Sequence, residues 1–198
     1  MLYDLGAGES LYKTFFLKYA DRYMAVDWSL GVQNTDIDIV ADLNKPFPIG
    51  SGAADTVVSL SVLEHLCEPQ LFLNEAFRIL KPGGAIILQV PWQWHVHGAP
   101  HDYFRYAPSG LEHLLKRAGF VDITIEPQAG FFSLIALKLN YFSRRFVRGP
   151  LPLRVLIGGV LWFPWQIHQI LAPLLDLLDR NWLLEAPGYF VTACRPAE

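Results

Sequence analysis

The sequence is poor in cysteine and in charged residues, and each shortage excludes some classes of protein. Two cysteines in 198 residues, Cys67 and Cys194, provide neither a disulfide framework nor a metal-binding pair, so a reducing, cytoplasmic location is expected. A net charge of −3 offers no basic surface for nucleic acid, which is therefore excluded as a partner. No basic segment followed by an apolar core opens the chain, so no signal peptide is predicted.

The sequence also lacks an apolar run of the roughly 20 residues that a membrane-spanning helix requires. The uninterrupted apolar run covers only residues 155–165, although 52% of all residues are hydrophobic. The excess lies in residues 131–182, which are predicted to form two apolar helical stretches around a basic, proline-containing joint. We expect a lid on the domain or an oligomer interface, for example in a homodimer, with peripheral contact to a membrane surface as the alternative.

Hydrophobic periodicity predicts an α/β core over residues 1–130 and 183–198, with residues 131–182 as a helical insertion. Strand-like and helical stretches alternate, which predicts a mostly parallel sheet covered on both faces. A helix is expected to start at Ser10, with Leu11, Phe15 and residues 17–19 on its apolar face. The sequence "KPGG" at 81–84 is expected to end a later helix, and Gly119 to follow the C-terminus of another.

The opening stretch "YDLGAGES" predicts a tight turn between a strand and a helix. Gly6 and Gly8 carry no Cβ, so a ligand can approach the backbone closely, as in nucleotide pockets. An ordinary strand-to-helix turn is the alternative. Asp27 lies 27 − 6 = 21 residues after Gly6, a spacing that suits an acid accepting hydrogen bonds from ribose hydroxyls. A dinucleotide site also wants a glycine where Leu11 stands, which disfavours a nicotinamide cofactor.

Five stretches in order carry a family resemblance: "YDLGAGES", "YMAVDWS", "VADLNKPFPIGSGAADTVVSLSVLEHLCEP", "LNEAFRILKPGGAIILQVPW" and "HDYFRYAPSGLEHLLKRAGF". Together they resemble a class I S-adenosylmethionine-dependent methyltransferase, of the type-11, ubiquinone-biosynthesis-like kind. The resemblance implies a Rossmann-like, seven-stranded sheet in the order 3-2-1-4-5-7-6, with strand seven antiparallel. The family's third glycine is Ser10 here. The chain starts on the central strand, without the helix that normally precedes it, so a shortened gene start is expected.

The resemblance implies S-adenosylmethionine as the cofactor and S-adenosylhomocysteine as its product. The residues that it assigns to the cofactor are Asp4, Gly6, Ala7, Gly8, Asp27, Trp28, Asp42, Leu43, Ser59 and Ser61. The first four hold the methionine part, and the next two hold the ribose and the face of the adenine. Asp42 and the backbone of Leu43 bind the adenine edge, and the two serines lie beside the sulfonium-bearing chain.

Histidines are the natural candidates for a base that removes a proton from the methyl acceptor. His65 and His101 are predicted in this role, although His65 could instead form a structural hydrogen bond with Glu64. The residues predicted to bind the acceptor are His97, Asp102, Tyr103 and Arg105. Alternatively, these residues pin their loop to the following helix. The spacing of the histidines in this loop does not match a zinc signature, so no metal is assigned.

Methyl transfer to an oxygen, nitrogen or carbon of a small acceptor is the function that the sequence favours. The apolar segment at 131–182 suggests that this acceptor is itself apolar or lipid-linked. A cofactor-binding regulatory or scaffold protein without turnover is one alternative. A nicotinamide-dependent oxidoreductase is the other, and the residue at position 11 counts against it.

Overall fold

The computed structural model describes residues 1–28, 36–179, 181 and 184–198. The chain divides into two compact units, residues 1–126 with 189–198, and residues 127–188. The strands are β1 (Leu2–Leu5), β2 (Tyr23–Asp27), β3 (Ile39–Val40), β4 (Ala54–Leu60), β5 (Leu80–Pro91), β6 (Val121–Pro127) and β7 (Gly188–Cys194). The helices are α1 (Lys13–Phe16), a 3₁₀ turn (Leu63–His65), α2 (Pro69–Ile79), α3 (Pro108–Ala118), α4 (Phe131–Arg144) and α5 (Leu151–Asp176).

The described strands form a seven-stranded mixed sheet in the order β3-β2-β1-β4-β5-β7-β6, which confirms the predicted fold. The central strand β1 runs parallel to β2 on one side and to β4 on the other. Leu5, Val57 and Val58 have no exposed surface, as expected for parallel strands covered on both faces. The strand order reverses between β1 and β4, and open α/β sheets bind ligands at the carboxyl ends of strands at such a point.

The helices α2 and α3 both begin at a proline, a residue that loses nothing at a first helical position because that N–H has no partner within the helix. The apolar stripe of α2 is buried in the first unit and consists of Phe72, Leu73, Ala76 and Ile79. Gly119 follows the end of α3 with a φ of +100°, so the predicted glycine at this helix end is confirmed.

The helix predicted from Ser10 is wrong in its start and in its burial. The structure forms only the four residues of α1, none of which is buried, and Leu11 is 76% exposed. Ser10 itself has a φ of +51°, outside the helical range, so the turn continues to residue 12 before the helix begins. Phe15 is exposed as well. The periodic apolar pattern therefore describes a surface in this part of the chain.

The predicted stop at 81–84 is also displaced. α2 ends at Ile79, and β5 begins at once with Leu80, whose backbone is already extended. The strand continues through the two glycines. A Cβ on Gly84 would lie 2.9 Å from the carbonyl oxygen of Lys81 and 3.0 Å from that of Asp55, so only glycine fits against these backbones.

The second unit is built around the contact between α4 and α5. The buried carboxylate of Asp176, near the end of α5, accepts hydrogen bonds from the backbone N–H groups of Gly130, Phe132 and Ser133 at 2.8–3.1 Å. These N–H groups begin α4 and have no partner within that helix, so one side chain joins the two helices. Trp165 adds a second link by donating from Nε1 to the hydroxyl of Ser143.

The helix α5 is 26 residues long and continues through Pro164 and Pro173. Only Ala172 and Asp176 are buried among its residues. It is long and apolar enough to cross a membrane by length and composition, a test that the core helix of a soluble protein also passes. The apolar run at residues 155–165 therefore covers less than half of the length of this helix. Its large exposed side chains include Val155, Leu156, Val160, Trp162, Phe163, Ile170, Leu171 and Leu174.

Candidate functional site

The turn after β1 is shaped by two glycines with left-handed backbones. Gly6 has a φ of +85° and Gly8 a φ of +53°. A Cβ on Gly6 would overlap the side chain of Val62, whose Cγ1 would be 2.9 Å away, whereas a Cβ on Gly8 would meet nothing within 4 Å. The N–H groups of Gly6 and Ala7 both donate to the carbonyl oxygen of Val26. The turn is therefore fixed against the end of β2, with open space at Gly8.

Asp27 at the end of β2 is directed at this turn. Its Oδ2 accepts a hydrogen bond of 2.8 Å from the N–H of Gly8, and its Oδ1 one of 2.7 Å from the N–H of Trp28. The indole of Trp28 is 70% exposed, so its face is available for stacking. The structure thus brings together the glycine turn, the predicted ribose acid and the predicted adenine contact.

Asp4 lies beneath the turn and is only 4% exposed. The hydroxyl of Tyr23 donates to its Oδ2 at 2.5 Å. Burial raises the pKa of Asp4 from 3.8 to about 6, the charge of Asp27 adds to the rise, and the hydrogen bond from Tyr23 opposes it. A buried acid with an elevated pKa beside a glycine turn is a candidate for a functional site.

Asp42 and Leu43 follow β3, the strand next to β2. The carboxylate of Asp42 accepts from the N–H of Asn44 at 3.0 Å and pairs with Lys45 at 3.1 Å. The backbone hydrogen bond from Asn44, and then Lys45, hold the pKa of Asp42 below its usual value. The N–H of Ala41 donates to the carbonyl of Asp27, which ties this loop to the end of β2. The adenine-binding role of Asp42 and Leu43 stays a prediction.

The two serines at the end of β4 differ in what their side chains can offer. Ser59 is buried, and its hydroxyl donates to the carbonyl oxygen of Leu5 at 2.7 Å, which braces β4 against β1. Ser61 is exposed, has a φ of +55°, and forms a short hydrogen bond with the side chain of Gln89. Both serines are predicted to contact the cofactor. At Ser59 only the backbone is available for this contact, whereas at Ser61 both the backbone and the hydroxyl are available.

The 3₁₀ turn after β4 holds His65 in one orientation. Its Nδ1 lies 2.5 Å from the carbonyl oxygen of His101, and because a carbonyl only accepts, Nδ1 carries the proton. The lone pair is then on Nε2, which lies 3.7 Å from Oε1 of Glu64. This separation is too long for the structural hydrogen bond considered from the sequence. His65 therefore has a nitrogen free to accept a proton.

The loop between β5 and α3 is braced internally by its own charged pair. Arg105 donates to both carboxylate oxygens of Asp102, at 2.5 and 2.8 Å, and also to the carbonyl of His95. Asp102 accepts the N–H of His97 at 2.8 Å. The hydrogen bond from Arg105 holds the pKa of Asp102 far below its usual range. Asp102 and Arg105 brace the loop, and their role in acceptor binding stays a prediction.

His101 and Tyr103 form the outer part of this loop. Nδ1 of His101 lies 3.1 Å from the hydroxyl of Tyr103, and the imidazole of His101 contacts the indole of Trp28 at a centroid distance of 6.0 Å. Both His101 and Tyr103 are exposed. The loop that carries the predicted acceptor residues thus reaches the predicted adenine contact.

Glu64 is the residue that the sequence did not assign. Its side chain has no exposed surface, and neither carboxylate oxygen has a hydrogen-bond partner among the residues that the structure describes. Burial raises the pKa of this carboxyl group. The backbone carbonyl of Glu64 accepts from the N–H groups of Tyr103 and Phe104, so the loop closes over it. The sequence offered one signal, an acid within the apolar run that follows a buried strand.

Comparison with known proteins finds a family match for the part of the chain that contains the glycine turn. Residues 3–88 match the methyltransferase domain family, which confirms the resemblance found in the sequence. A Mycolicibacterium smegmatis protein, named as a probable S-adenosylmethionine-dependent methyltransferase, is 27% identical over 94 residues. That alignment covers 44% of this chain and 37% of the relative, so the chain spans little more than a third of the length of that protein.

Solved structures share the fold at low sequence identity. A phosphoethanolamine N-methyltransferase 2 from Haemonchus contortus, in complex with phosphomonomethylethanolamine and S-adenosylhomocysteine, superposes with a TM-score of 0.61 at 16% identity. It matches 98% of this chain over 49% of its own length. A SAM-dependent methyltransferase from Archaeoglobus fulgidus gives 0.63 at 14% identity, over 98% of this chain and 85% of that one. At these identities the likeness shows the fold.

Proposed function

We propose that this chain, whose residues 3–88 match the methyltransferase domain family, transfers a methyl group from S-adenosylmethionine to a small acceptor. The observation that carries the proposal is the hydrogen bond between Asp27 and the N–H of Gly8, which joins the ribose acid to the glycine turn. The residues fit the cofactor, because the backbone is open at Gly8 and the indole of Trp28 is exposed beside it.

The cofactor supplies an activated methyl group on a sulfonium, and the protein contributes alignment and the exclusion of water. Gly6, Ala7 and Gly8 would hold the methionine part, with Asp4 beneath them. Asp27 would accept from the ribose hydroxyls.

His65 would remove the proton of an oxygen or nitrogen acceptor. Its Nε2 carries the lone pair, since Nδ1 donates to the carbonyl of His101. His101 would act from the loop, where its ring already touches Trp28. His97, Asp102, Tyr103 and Arg105 would hold the acceptor.

Binding of labelled S-adenosylmethionine tests the cofactor site. Asp27→Asn keeps the size of the side chain but removes the charge that favours the ribose hydroxyls, and we expect binding to weaken roughly 10-fold or more. The matched control is Asp21→Asn, an exposed aspartate before β2. Equal binding by both variants would remove the basis for the proposal. Binding without methylation of any extract component would favour the regulatory or scaffold alternative.

We further propose that the second unit contacts an anionic membrane surface, where an apolar or lipid-linked acceptor would be found. Exposed Trp162 and Phe163 on α5 supply apolar area, and the joint before it supplies Arg145 and Arg148, both exposed. Arg144 and Arg154 line one cavity of about 570 Å³ together with polar and apolar residues of α4 and α5. Positive charge beside exposed aromatic residues is the pattern of a surface-bound segment.

Sedimentation with lipid vesicles tests this contact. We expect binding to vesicles that contain an anionic lipid, and the double variant Arg145→Gln/Arg148→Gln should weaken it roughly 30-fold, since each basic residue contributes about 1 kcal/mol at such a surface. The control is Lys18→Gln/Arg22→Gln, two exposed basic residues of the first unit. If the protein does not bind vesicles and is a dimer in analytical ultracentrifugation, the exposed face of α5 contacts a second copy of the chain and not a membrane.

A further inference from the structure

The carboxylate of Glu64 occupies an unfavourable position for a group with nothing to bind. It is fully buried between the end of β4 and the start of α2, and no hydrogen-bond donor reaches either oxygen from the described part of the chain. An unpaired buried carboxylate costs several kcal/mol, far more than a neutral side chain of the same size. A structural role does not account for such a residue.

Two imidazole nitrogens face the same oxygen of this carboxylate. Nε2 of His97 lies 3.5 Å and Nε2 of His65 3.7 Å from Oε1 of Glu64. The three potential ligand atoms all lie within 4.8 Å of one another. A hydrogen bond between an imidazole and a carboxylate would have an N···O distance of about 2.8 Å. Two ligands of one tetrahedral zinc ion stand about 3.4 Å apart, since each lies about 2.0–2.1 Å from the metal.

The opposite nitrogen of the His65 ring is held as in a metal-bound histidine. Nδ1 of His65 donates to the carbonyl of His101 at 2.5 Å. Nδ1 of His97 has looser neighbours, at 3.3 Å from the carbonyl of His95, 3.5 Å from Nη2 of Arg105 and 3.6 Å from Oδ2 of Asp102. Carbonyls and carboxylates at this position fix the tautomer and turn the Nε2 lone pair toward a metal. The Nε2 atoms of both rings and the carboxylate of Glu64 are close enough together to bind one ion.

The nearby positive charge does not occupy this point. Arg105 influences the carboxyl group of Glu64 through space, but its guanidinium is bound by both oxygens of Asp102. The carboxylate of Asp102 therefore neutralises most of the positive charge of Arg105, and little of it remains to compensate Glu64. A cation bound by the two imidazoles and the buried carboxylate would supply the positive charge that Glu64 lacks.

We propose that Glu64, His65 and His97 bind a divalent cation of the zinc class. Two imidazoles and a carboxylate suit Zn²⁺ better than Mg²⁺ or Ca²⁺, which prefer oxygen ligands throughout. Three protein ligands leave a fourth position open, as in catalytic rather than structural zinc sites. Because the ion would occupy the Nε2 lone pairs of His65 and His97, His101 would act as the base in the metal-bound protein. A role for the fourth position in holding the methyl acceptor rests on the proposed function, whereas binding of the ion does not.

Titration of chelator-treated protein with ZnCl₂ tests the site directly. We expect one equivalent to bind, and Co²⁺ to give the visible absorption of a low-coordinate site with imidazole ligands. Glu64→Gln and His97→Ala should each weaken binding by roughly 100-fold, and Asp102→Asn by roughly 10–100-fold. The control is His113→Ala, an exposed histidine on α3 that should change nothing. Weak binding that Glu64→Gln leaves unchanged would overturn the proposal.

A stability measurement covers the case in which these variants fold poorly. Zn²⁺ should raise the melting temperature of the wild-type protein, because it binds only the folded state. Glu64→Leu removes the buried charge, so the metal-free variant should melt higher than the metal-free wild type and should no longer respond to Zn²⁺. A Zn²⁺ response retained in Glu64→Leu would contradict the assignment. Labelled S-adenosylmethionine should bind equally with and without Zn²⁺, so failure of the metal site and failure of the cofactor site can be told apart.

Discussion

The two units of the chain treat their apolar residues in opposite ways. The first unit buries its central strands completely and presents polar groups where those strands end, at Asp27 and in the turn at Gly8. The second unit exposes most of α5 and joins its helices through a few polar side chains, chiefly the carboxylate of Asp176. Apolar area that is buried stabilises a fold, and apolar area that is left exposed is free for a partner. The proposed chemistry therefore belongs to the first unit and the proposed membrane contact to the second.

The buried acids repeat this contrast on a smaller scale. Asp176 receives three backbone N–H groups, whereas Glu64 receives no hydrogen bond from the described residues. An acid that joins two helices needs donors, and Asp176 has them. The carboxylate of Glu64 instead faces two histidines. This difference in partners is why we propose a binding role for Glu64 and a structural role for Asp176.

The largest effect is expected at Gly6 in the first unit. The turn after β1 requires glycine at this position, because a Cβ would not fit. Gly6→Ala would overlap Val62 and force a left-handed backbone on alanine, so the free energy of unfolding should fall by about 2–3 kcal/mol. Binding of labelled S-adenosylmethionine should fall more than roughly 10-fold, because the turn must move. Urea denaturation and the binding assay measure both effects.

The matched control is Gly110→Ala, in α3, where a Cβ meets nothing within 4 Å. This change should be neutral or should stabilise the protein by up to about 1 kcal/mol, since alanine favours a helix. If Gly6→Ala behaves like Gly110→Ala, the turn does not have the close packing described for the first unit.

A smaller and more local effect is expected at Asp176 in the second unit. Asp176→Ala leaves the N–H groups of Gly130, Phe132 and Ser133 without their acceptor, at a cost of about 2 kcal/mol. Amide hydrogen exchange should become faster within residues 127–188 and stay unchanged in β1 and β4. The control Asp179→Ala should have little effect. Equal acceleration in β1 and β4 would show that the two units unfold together and would break the comparison.

An effect as large as that at Gly6, but visible only as a change with pH, concerns the buried Asp4. Its pKa is about 6 in the folded protein and near the ordinary 3.8 in the unfolded chain, so the folded state binds more protons between these values. The free energy of unfolding should therefore fall as the pH rises from about 4 to 6, by about 3 kcal/mol for this group. Denaturation of wild type and Asp4→Asn across this range isolates the effect, because other acids contribute to both. Parallel curves would contradict the burial of Asp4 as its cause.

The smallest effect is expected at Ser10, where the family resemblance predicts a glycine. Ser10 keeps the left-handed backbone, with a φ of +51°. Ser10→Gly should relieve about 1–2 kcal/mol of strain, partly offset by the greater freedom of glycine in the unfolded chain, for a net gain of up to about 1 kcal/mol. Ser109→Gly, in the first turn of α3, should instead destabilise slightly. A loss of stability in Ser10→Gly would show that the turn depends on the hydroxyl.

Much of the first unit could be predicted because its signals are local. Glycines at Gly6 and Gly119, a proline at Pro69 and continuous apolar strands mark turns, helix ends and buried strands without reference to the rest of the chain. The order of the strands came from the family resemblance. The third strand is short, because its pairing with β2 extends over only Ile39–Val40.

The parts that could not be predicted depend on distant contacts. The periodicity after Ser10 indicates an apolar face but not whether another element covers it. Glu64 is buried because a loop some 40 residues later closes over it through the N–H groups of Tyr103 and Phe104. No local pattern carries that information, and so the sequence assigned His65 and His97 to different roles although the structure directs both at one carboxylate.

A structure with bound S-adenosylhomocysteine tests the central claim most directly. We expect the ribose hydroxyls to donate to the carboxylate of Asp27, the methionine part to lie on the turn at Gly8, and the adenine to lie against Trp28 near Asp42. Binding of the product elsewhere, with the carboxylates of Asp27 and Asp42 directed at solvent on opposite sides, would contradict the account.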